Sequence, residues 1–523
     1  MFVLHRPLRR DILKIQAAER AYYWSSCAAG FLRKHGLIAV SGAVSERRAP
    51  GFSIVTRRAR HRPGAEPACF EGPLTPDVAS SLGIEVREHT AEAVTLITTT
   101  GRILGRMSYP RLTVRRIPRR RGEQSEPYLH VSDDPYWNNR LIRCQELRAG
   151  EPWKVIAHAQ LEENRPLVPI AVSDGRRLVL GLPLLDLIGY AHCLAPLDVG
   201  LYELEDRSDP FPVERWFVDQ LISHAIDGGQ WVLRAADWPR GFRSALTVRH
   251  DYDRIISDEG LADLLKFYED RGIRSSWGFL VSDGRADHAR RLLARGHEVL
   301  LHTVADSRKA FAAETRTLRR SIGIRVSGYT SHGGLGAAGY LGETQFHWAE
   351  RCGMLYGEIL QKPNHLPSRA LAIRRGTPCL TRLVLPVFHA GMDENTKPDG
   401  HHLKHLCKTV PARLAAGDYV VLMNHPDIHI PQLKELLGAV DLSTTWSTTL
   451  HDVAAWTDVA KFRSRVRRRR DIFEIDFGAT LPLDTIVTLH GPAGDGREFV
   501  ARAGSKRLTI PDPTIPAGSP GHT

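Results

Sequence analysis

The chain has 523 residues, more than one hydrophobic core organises, so two to four domains are expected. With 42% hydrophobic and 25% charged residues the composition is ordinary for a globular protein, and no run of 18 apolar residues predicts a membrane-spanning helix. A net charge of +12 favours anionic partners. The arginine clusters at 57–62, 115–121 and 463–470 lack interleaved aromatics and any zinc-finger or RNA-binding signature, so they read as solvated surface and no nucleic acid is expected.

Seven cysteines, at 27, 69, 144, 193, 352, 379 and 407, are scattered and form no Cys-x-x-Cys pair. That excludes a disulfide framework and a zinc ribbon and suits a reducing compartment. The N-terminus has no sustained apolar core of the secretory kind, so a cytoplasmic setting is expected.

Residues 1–235 read as a mixed α/β accessory domain. A helix is expected over 17–32 and strands over 36–40, 93–100, 153–157, 167–172 and 177–182, with a turn at Asp174-Gly175 and a helix over 212–225. Residues 115–127 read as an exposed loop. His158, His192 and His224 are isolated and are expected to be structural. No glycine-rich phosphate loop or nucleophile elbow is present here.

From about 236 the pattern becomes regular. Strands are expected over 245–249, 275–281, 298–301, 325–329, 383–388, 419–423 and 444–448. Helices alternate with them over 258–271, 289–294, 307–322, a stretch ending near Gly353, 403–416, 431–440 and 450–459. Leu261, Leu264, Leu265 and Tyr268 mark one helix face, and Gly272, Gly296 and Gly323 stop helices. Strict alternation means a parallel sheet, and the number of repeats favours a (β/α) barrel of seven or eight units over 236–460. Residues 461–523 read as a small β-rich domain with strands over 473–477, 485–489, 498–501 and 507–510, and a Pro/Gly-rich tail expected to be disordered.

The polar residues that stand out follow the barrel strands. Asp251 and Asp253, two apart, project to one side of the first strand. Two adjacent carboxylates need a neighbouring cation. Either they cap the loop and pair with Arg249 and Arg254, or a bound metal balances them. His302 follows the third strand, His332 the fourth and His425 a late one. In a parallel barrel all these strand ends open on one face, so two aspartates and three histidines are expected to converge there. Asp and His together suit Zn²⁺ or a similar divalent ion. Trp277 reads as core packing rather than a sugar platform.

Leu246-Thr-Val-Arg-His-Asp-Tyr-Asp253, Gly296-His-Glu-Val-Leu-Leu-His302-Thr303 and Tyr419-Val-Val-Leu-Met-Asn-His425 resemble motifs of the polysaccharide deacetylase superfamily. Its NodB-homology fold is a distorted (β/α) barrel with a divalent metal. The first stretch looks like an Asp-x-Asp variant of the family's Thr-Phe-Asp-Asp-Gly. By this resemblance Asp251 takes the general-base position, Asp253 and His302 are metal ligands, and His425 is the general acid. The family's second motif has a distal histidine where this chain has Asp306. Asp306 also stands where a helix begins, so it is either a ligand or an N-cap. If it is a cap, His332 is the next candidate for the third ligand. The family's arginine-bearing motif has no counterpart around Tyr329 to His332. The resemblance covers roughly 236–460 and implies a zinc-dependent hydrolase removing N-acetyl groups from an amino sugar in a glycan. Two competing readings are hydrolysis of a non-sugar amide and a degenerate barrel that binds glycan without turnover.

Overall fold

The computed structural model describes residues 36–41, 54–56, 69–108, 111–114, 141–162, 165–185, 187–188, 202–205, 211–252, 255–282, 285–305, 307–332, 348–349, 351–358, 367–369, 386–392, 400–469, 472–491 and 496–511. The expected helix over 17–32, the loop over 115–127, the tail beyond 511 and His192 lie outside them.

Most of the alternating region forms where its apolar spacing predicts, although the strand expected over 325–329 begins at Gly328. In order it comprises β1 (Ser244–Tyr252), α1 (Asp258–Asp270), β2 (Ser275–Phe279), α2 (Ala286–Ala294), β3 (Glu298–Thr303), α3 (Arg308–Ile322) and β4 (Gly328–Ser331). Then follow β5 (Tyr356–Glu358), β6 (Pro367–Arg369), β7 (Pro386–Met392), α4 (Gly400–Ala415), β8 (Tyr419–Asn424), α5 (Ile430–Gly438), β9 (Thr445–Ser447) and α6 (Leu450–Thr457). The α1 residues singled out by spacing, Leu261, Leu264, Leu265 and Tyr268, are the buried ones. Ser257 caps α1 by accepting from the Gly260 N–H at 3.0 Å, which satisfies a donor the helix itself cannot. Thr449 does the same for α6. Gly323, at φ 76°, ends α3 in the left-handed conformation that a residue without Cβ reaches at no cost.

The strands make one sheet in the order β5-β4-β3-β2-β1-β8-β7-β6, with β9 beside β1. All pairs are parallel except β6–β7. Among the described residues β5 and β6 are not bonded to each other, so the sheet is an open run and the ring expected from the repeat count is not closed there. All nine β1 residues are buried, as befits the central strand of a sheet covered on both faces. One core cluster packs α1 to α5 against this sheet.

Before it, a seven-stranded sheet and the helix Phe211–Asp227 share a second core, with Val213, Trp216, Phe217 and Leu221 turned inward. His224 is held there by the Gln220 carbonyl and the Ser173 hydroxyl, both at 2.5 Å, so it is structural as expected. After the alternating region, the arginine run is a strand, Arg465–Arg469, antiparallel to Ile472–Asp476. Arg465, Arg467 and Arg469 alternate to the exposed side of that edge strand. A four-stranded sheet joins early and late parts of the chain: Leu37–Ser41, Trp231–Ala235, Thr485–His490 and Gly496–Ala501 lie side by side. No helix among the described residues is long and apolar enough to cross a membrane.

Candidate active site

β1 alternates its side chains between two environments. His250 and Tyr252 face the helices: His250 Nε2 meets the Tyr268 hydroxyl at 2.7 Å, and Tyr252 stacks on Phe279 at 4.3 Å between ring centroids. Trp277 lies 4.1 Å from the His250 ring and donates to Ser275 Oγ, so it is core, as the sequence suggested. Arg249 and Asp251 take the other face, where both are almost wholly buried. Arg249 Nη1 donates to Asp251 Oδ1 and, at 3.0 Å, to Thr330 Oγ1 of β4. The loop-pairing alternative is thus realised for Asp251, and the guanidinium balances a carboxylate that burial would otherwise leave uncompensated.

That pair does not close the site. His302, at the end of β3 and 1% exposed, places Nδ1 3.6 Å from Asp251 Oδ1. β2 lies between their two strands, with Gly278 opposite Asp251 in the register. The missing side chain explains how carboxylate and imidazole meet across an intervening strand. A Cβ at Gly278 would stand 2.9 Å from Thr330 Cγ2, 3.2 Å from His302 Cβ and 3.6 Å from Asp251 Oδ1. Gly278→Ala is therefore expected to destabilise the protein by about 1–3 kcal/mol, by overpacking against residues that cannot yield. It should also separate Asp251 from His302. Urea unfolding beside a rate measurement would check this, and an alanine variant with unchanged stability would refute the tight fit.

His332 follows β4 directly. Its backbone N–H donates to the Thr303 carbonyl at 2.9 Å, and its ring lies 5.1 Å from that of His302. On the other side of β1, the parallel register sets His250 opposite Asn424, so His425, one residue on, is level with Asp251. It is half-buried. The structure thus links Asp251 to His302 and His302 to His332 near the C-terminal ends of β1, β3 and β4, and its register sets His425 level with Asp251. Asp253 and Asp306 lie outside the described residues. The N-cap of α3 is Ser307, which accepts from Ala310 N–H at 3.3 Å, so the capping alternative for Asp306 is filled by its neighbour.

Among the described residues a different group, Asp258, Asp287 and His288, brings carboxylates and an imidazole within 4.8 Å. It lies behind Tyr252, at the first turns of α1 and α2. Tyr252 OH meets His288 Nδ1 at 2.6 Å, and His288 Nε2 meets Asp258 Oδ1 at 2.8 Å. Arg291 reaches Asp258 at 2.8 Å and Arg285 reaches Asp287 at 2.5 Å. The hydrogen bond from His288 holds the Asp258 carboxyl below its ordinary pKa, and Arg285 does so for Asp287. Two guanidiniums and an imidazole already answer two carboxylates, so this is a charge-balanced tether rather than a cation site. Arg249, Gly278 and Thr330 are the site residues that motif reading passes over. Arg249 alone left a trace, as a possible partner of the aspartates.

No family model matches the chain. No curated protein matches it either. Solved structures similar to it include the polysaccharide deacetylase Bc1974 from Bacillus cereus, 13% identical, covering 40% of this chain and 92% of that one with a TM-score of 0.27. The chitin deacetylase of the fungal pathogen Colletotrichum lindemuthianum is 15% identical, covering 42% and 89%, with a TM-score of 0.27. The pseudoenzyme BA3943 from Bacillus anthracis is 10% identical, covering 40% and 65%, with a TM-score of 0.28. At such TM-scores the likeness is slight.

Proposed function

We propose that this chain is a divalent-metal-dependent amide hydrolase that removes N-acetyl groups from an amino sugar in a glycan. The observation that carries the reading is a pair of approaches at His302, whose Nδ1 lies 3.6 Å from the Asp251 carboxylate and whose ring lies 5.1 Å from that of His332. Two imidazoles whose ring centroids lie 5.1 Å apart fit a shared ion with nitrogen ligands at about 2.1 Å. Asp253 and His302, with Asp306 or His332 as the third ligand, would hold Zn²⁺, a set of borderline nitrogen and hard oxygen donors suited to it. When bound, the ion supplies Lewis-acid polarisation of the acyl carbonyl and a more acidic water.

The protein groups do the rest. Asp251 accepts the proton of the attacking water at its carboxylate, which is within reach of the ligand His302 without having to be a ligand itself. Arg249 fixes that carboxylate's rotamer and balances its charge. His425, level with Asp251 across β1 and β8, donates to the departing nitrogen, because an amine anion is too poor a leaving group to depart unaided. Residues 236–460 form the working unit in this reading, and the flanking parts, which join in one four-stranded sheet, are accessory to it.

Metal analysis of purified wild type beside His302→Ala, paired with acetate release from N-acetylated chito-oligosaccharides, tests the proposal. About one zinc per chain in the wild type, a large loss in the variant and release of acetate are expected. Metal without acetate would turn the reading towards a glycan binder that lacks turnover. No stoichiometric metal in the wild type would overturn it.

A further inference from the structure

A cavity of about 650 Å³ lies between α3 and the segment containing Trp348, Arg351 and Cys352, apart from the strand-end site. Of the nine described residues that line it, five are cationic, namely Arg308, Lys309, Arg316, Arg319 and Arg351, and none of the nine is acidic. Elsewhere in this chain arginines are commonly answered by carboxylates, as in Arg215–Asp418, Arg274–Asp452 and Arg285–Asp287. Among the described residues Arg308, Lys309, Arg316 and Arg351 make no such pair.

Two further features make this more than a basic surface. Arg319 is held rigidly at the wall, donating from Nη2 to the Val326 and Cys352 carbonyls at 3.0 and 2.7 Å. Its burial, with Arg325 nearby, lowers its pKa, so an anion beside it would relieve an existing cost. Arg308 and Lys309 occupy the first turn of α3, which has no acidic residue, although the helix dipole disfavours cations at that end. The local sequence therefore works against helix stability in a way that a bound anion would offset. Trp348, half-buried against Phe311 at 6.2 Å, adds an aromatic wall.

We propose that this cavity binds a small organic phosphate ester carrying two or more negative charges, with its ring group resting on Trp348. A concave volume of this size suits a small molecule better than a nucleic-acid strand, which needs an extended track. Guanidiniums in number suit phosphate oxygens, which they engage through paired N–H donors. The proposal does not rest on the hydrolase reading, because binding is measured without turnover.

Isothermal titration of the full chain with inorganic pyrophosphate, ADP and ribose 5-phosphate tests it. Saturable binding of pyrophosphate is expected, with ADP tighter by about tenfold. The Arg316→Glu/Arg351→Glu double variant should weaken both by about tenfold or more, since each loses charge-assisted contacts. Both residues are exposed, and an unchanged melting temperature would show that the fold survives. Trp348→Ala should remove the advantage of ADP over pyrophosphate while leaving pyrophosphate binding in place. Arg295→Glu, exposed and outside the cavity, controls for net charge and should change little. Ribose 5-phosphate matching ADP would assign the aromatic contact to the sugar ring; weaker binding would assign it to the base. The proposal is overturned by no saturable binding up to about 10 mM, an affinity too weak to signify a site. Equal weakening by Arg295→Glu, or a single-stranded oligonucleotide outcompeting ADP through the same residues, would overturn it as well.

Discussion

Replacing Asp251 by asparagine is expected to lower the rate of acetate release by about a hundredfold to ten-thousandfold, the range over which a positioned general base contributes. Metal content should stay near that of the wild type, because His302 and its partners, not Asp251, are the proposed ligands. The variant keeps the shape of the side chain and removes its basicity, so the effect should appear in kcat rather than KM. Arg249 offers a second handle on the same pair. Arg249→Met leaves a nearly inaccessible carboxylate without its guanidinium, which is expected to cost about 3–5 kcal/mol of stability. Adding Asp251→Asn to that variant should recover part of the loss, since no buried charge then remains unbalanced. Acetate assays, zinc analysis and urea unfolding of the three variants would check this. An Asp251→Asn enzyme at the wild-type rate would remove Asp251 from the chemistry.

Acid should destabilise the fold through its buried histidines. Burial is the main reason that His250 has its pKa pushed down to about 3 and His297 to about 4. His297 Nδ1 also accepts from the Ser275 backbone N–H at 3.0 Å, a bond that protonation would break. Both folded-state values lie below the ordinary 6.5, so the unfolded chain binds protons first as pH falls. Stability is therefore full above the unfolded value, declines below it, and goes on declining until each folded value is reached. Each histidine contributes about 1.4 kcal/mol per pH unit, so the two together remove roughly 4 kcal/mol between about pH 6.5 and 5. His490, half-buried and also depressed, acts in the same direction. Such a loss is a large fraction of the stability of an ordinary domain. Urea midpoints at pH 7, 6 and 5 would measure it. His250→Phe should flatten the slope by about half; an unchanged slope would show that other groups control acid unfolding.

The alternating half of the chain was readable because its signals were redundant. Leu261, Leu264, Leu265 and Tyr268 share a helical face, Gly272 sits just past the helix, and a β-branched or apolar run lies on either side. β5 and β6 escaped notice, since three residues are too few to display a period. The cap of α3 was missed by one position: Asp306 and Ser307 are both good caps, and only backbone geometry separates them. At the site, His302 was legible from a motif and from its place after a strand. Gly278 was not, because a glycine in a strand acquires meaning only when its two neighbouring strands and their register are known. Arg249 was legible only as a possible partner of the aspartates, because nothing in its sequence position tells that it lies on an interior face.

The four-stranded sheet has a consequence for how the chain is made. Leu37–Ser41 needs Trp231–Ala235, which in turn needs Thr485–His490, so a ribosome must reach beyond residue 490 before that sheet has its middle. Trp238 and Trp456, stacked at 6.3 Å, share a core with Phe473 and Phe477 that is completed only then. Synthesis that stalls after the last helix of the alternating region would leave open strand edges and an incompletely covered core, a template for aggregation. A fragment cut at 236 and 460 inherits the same defect permanently.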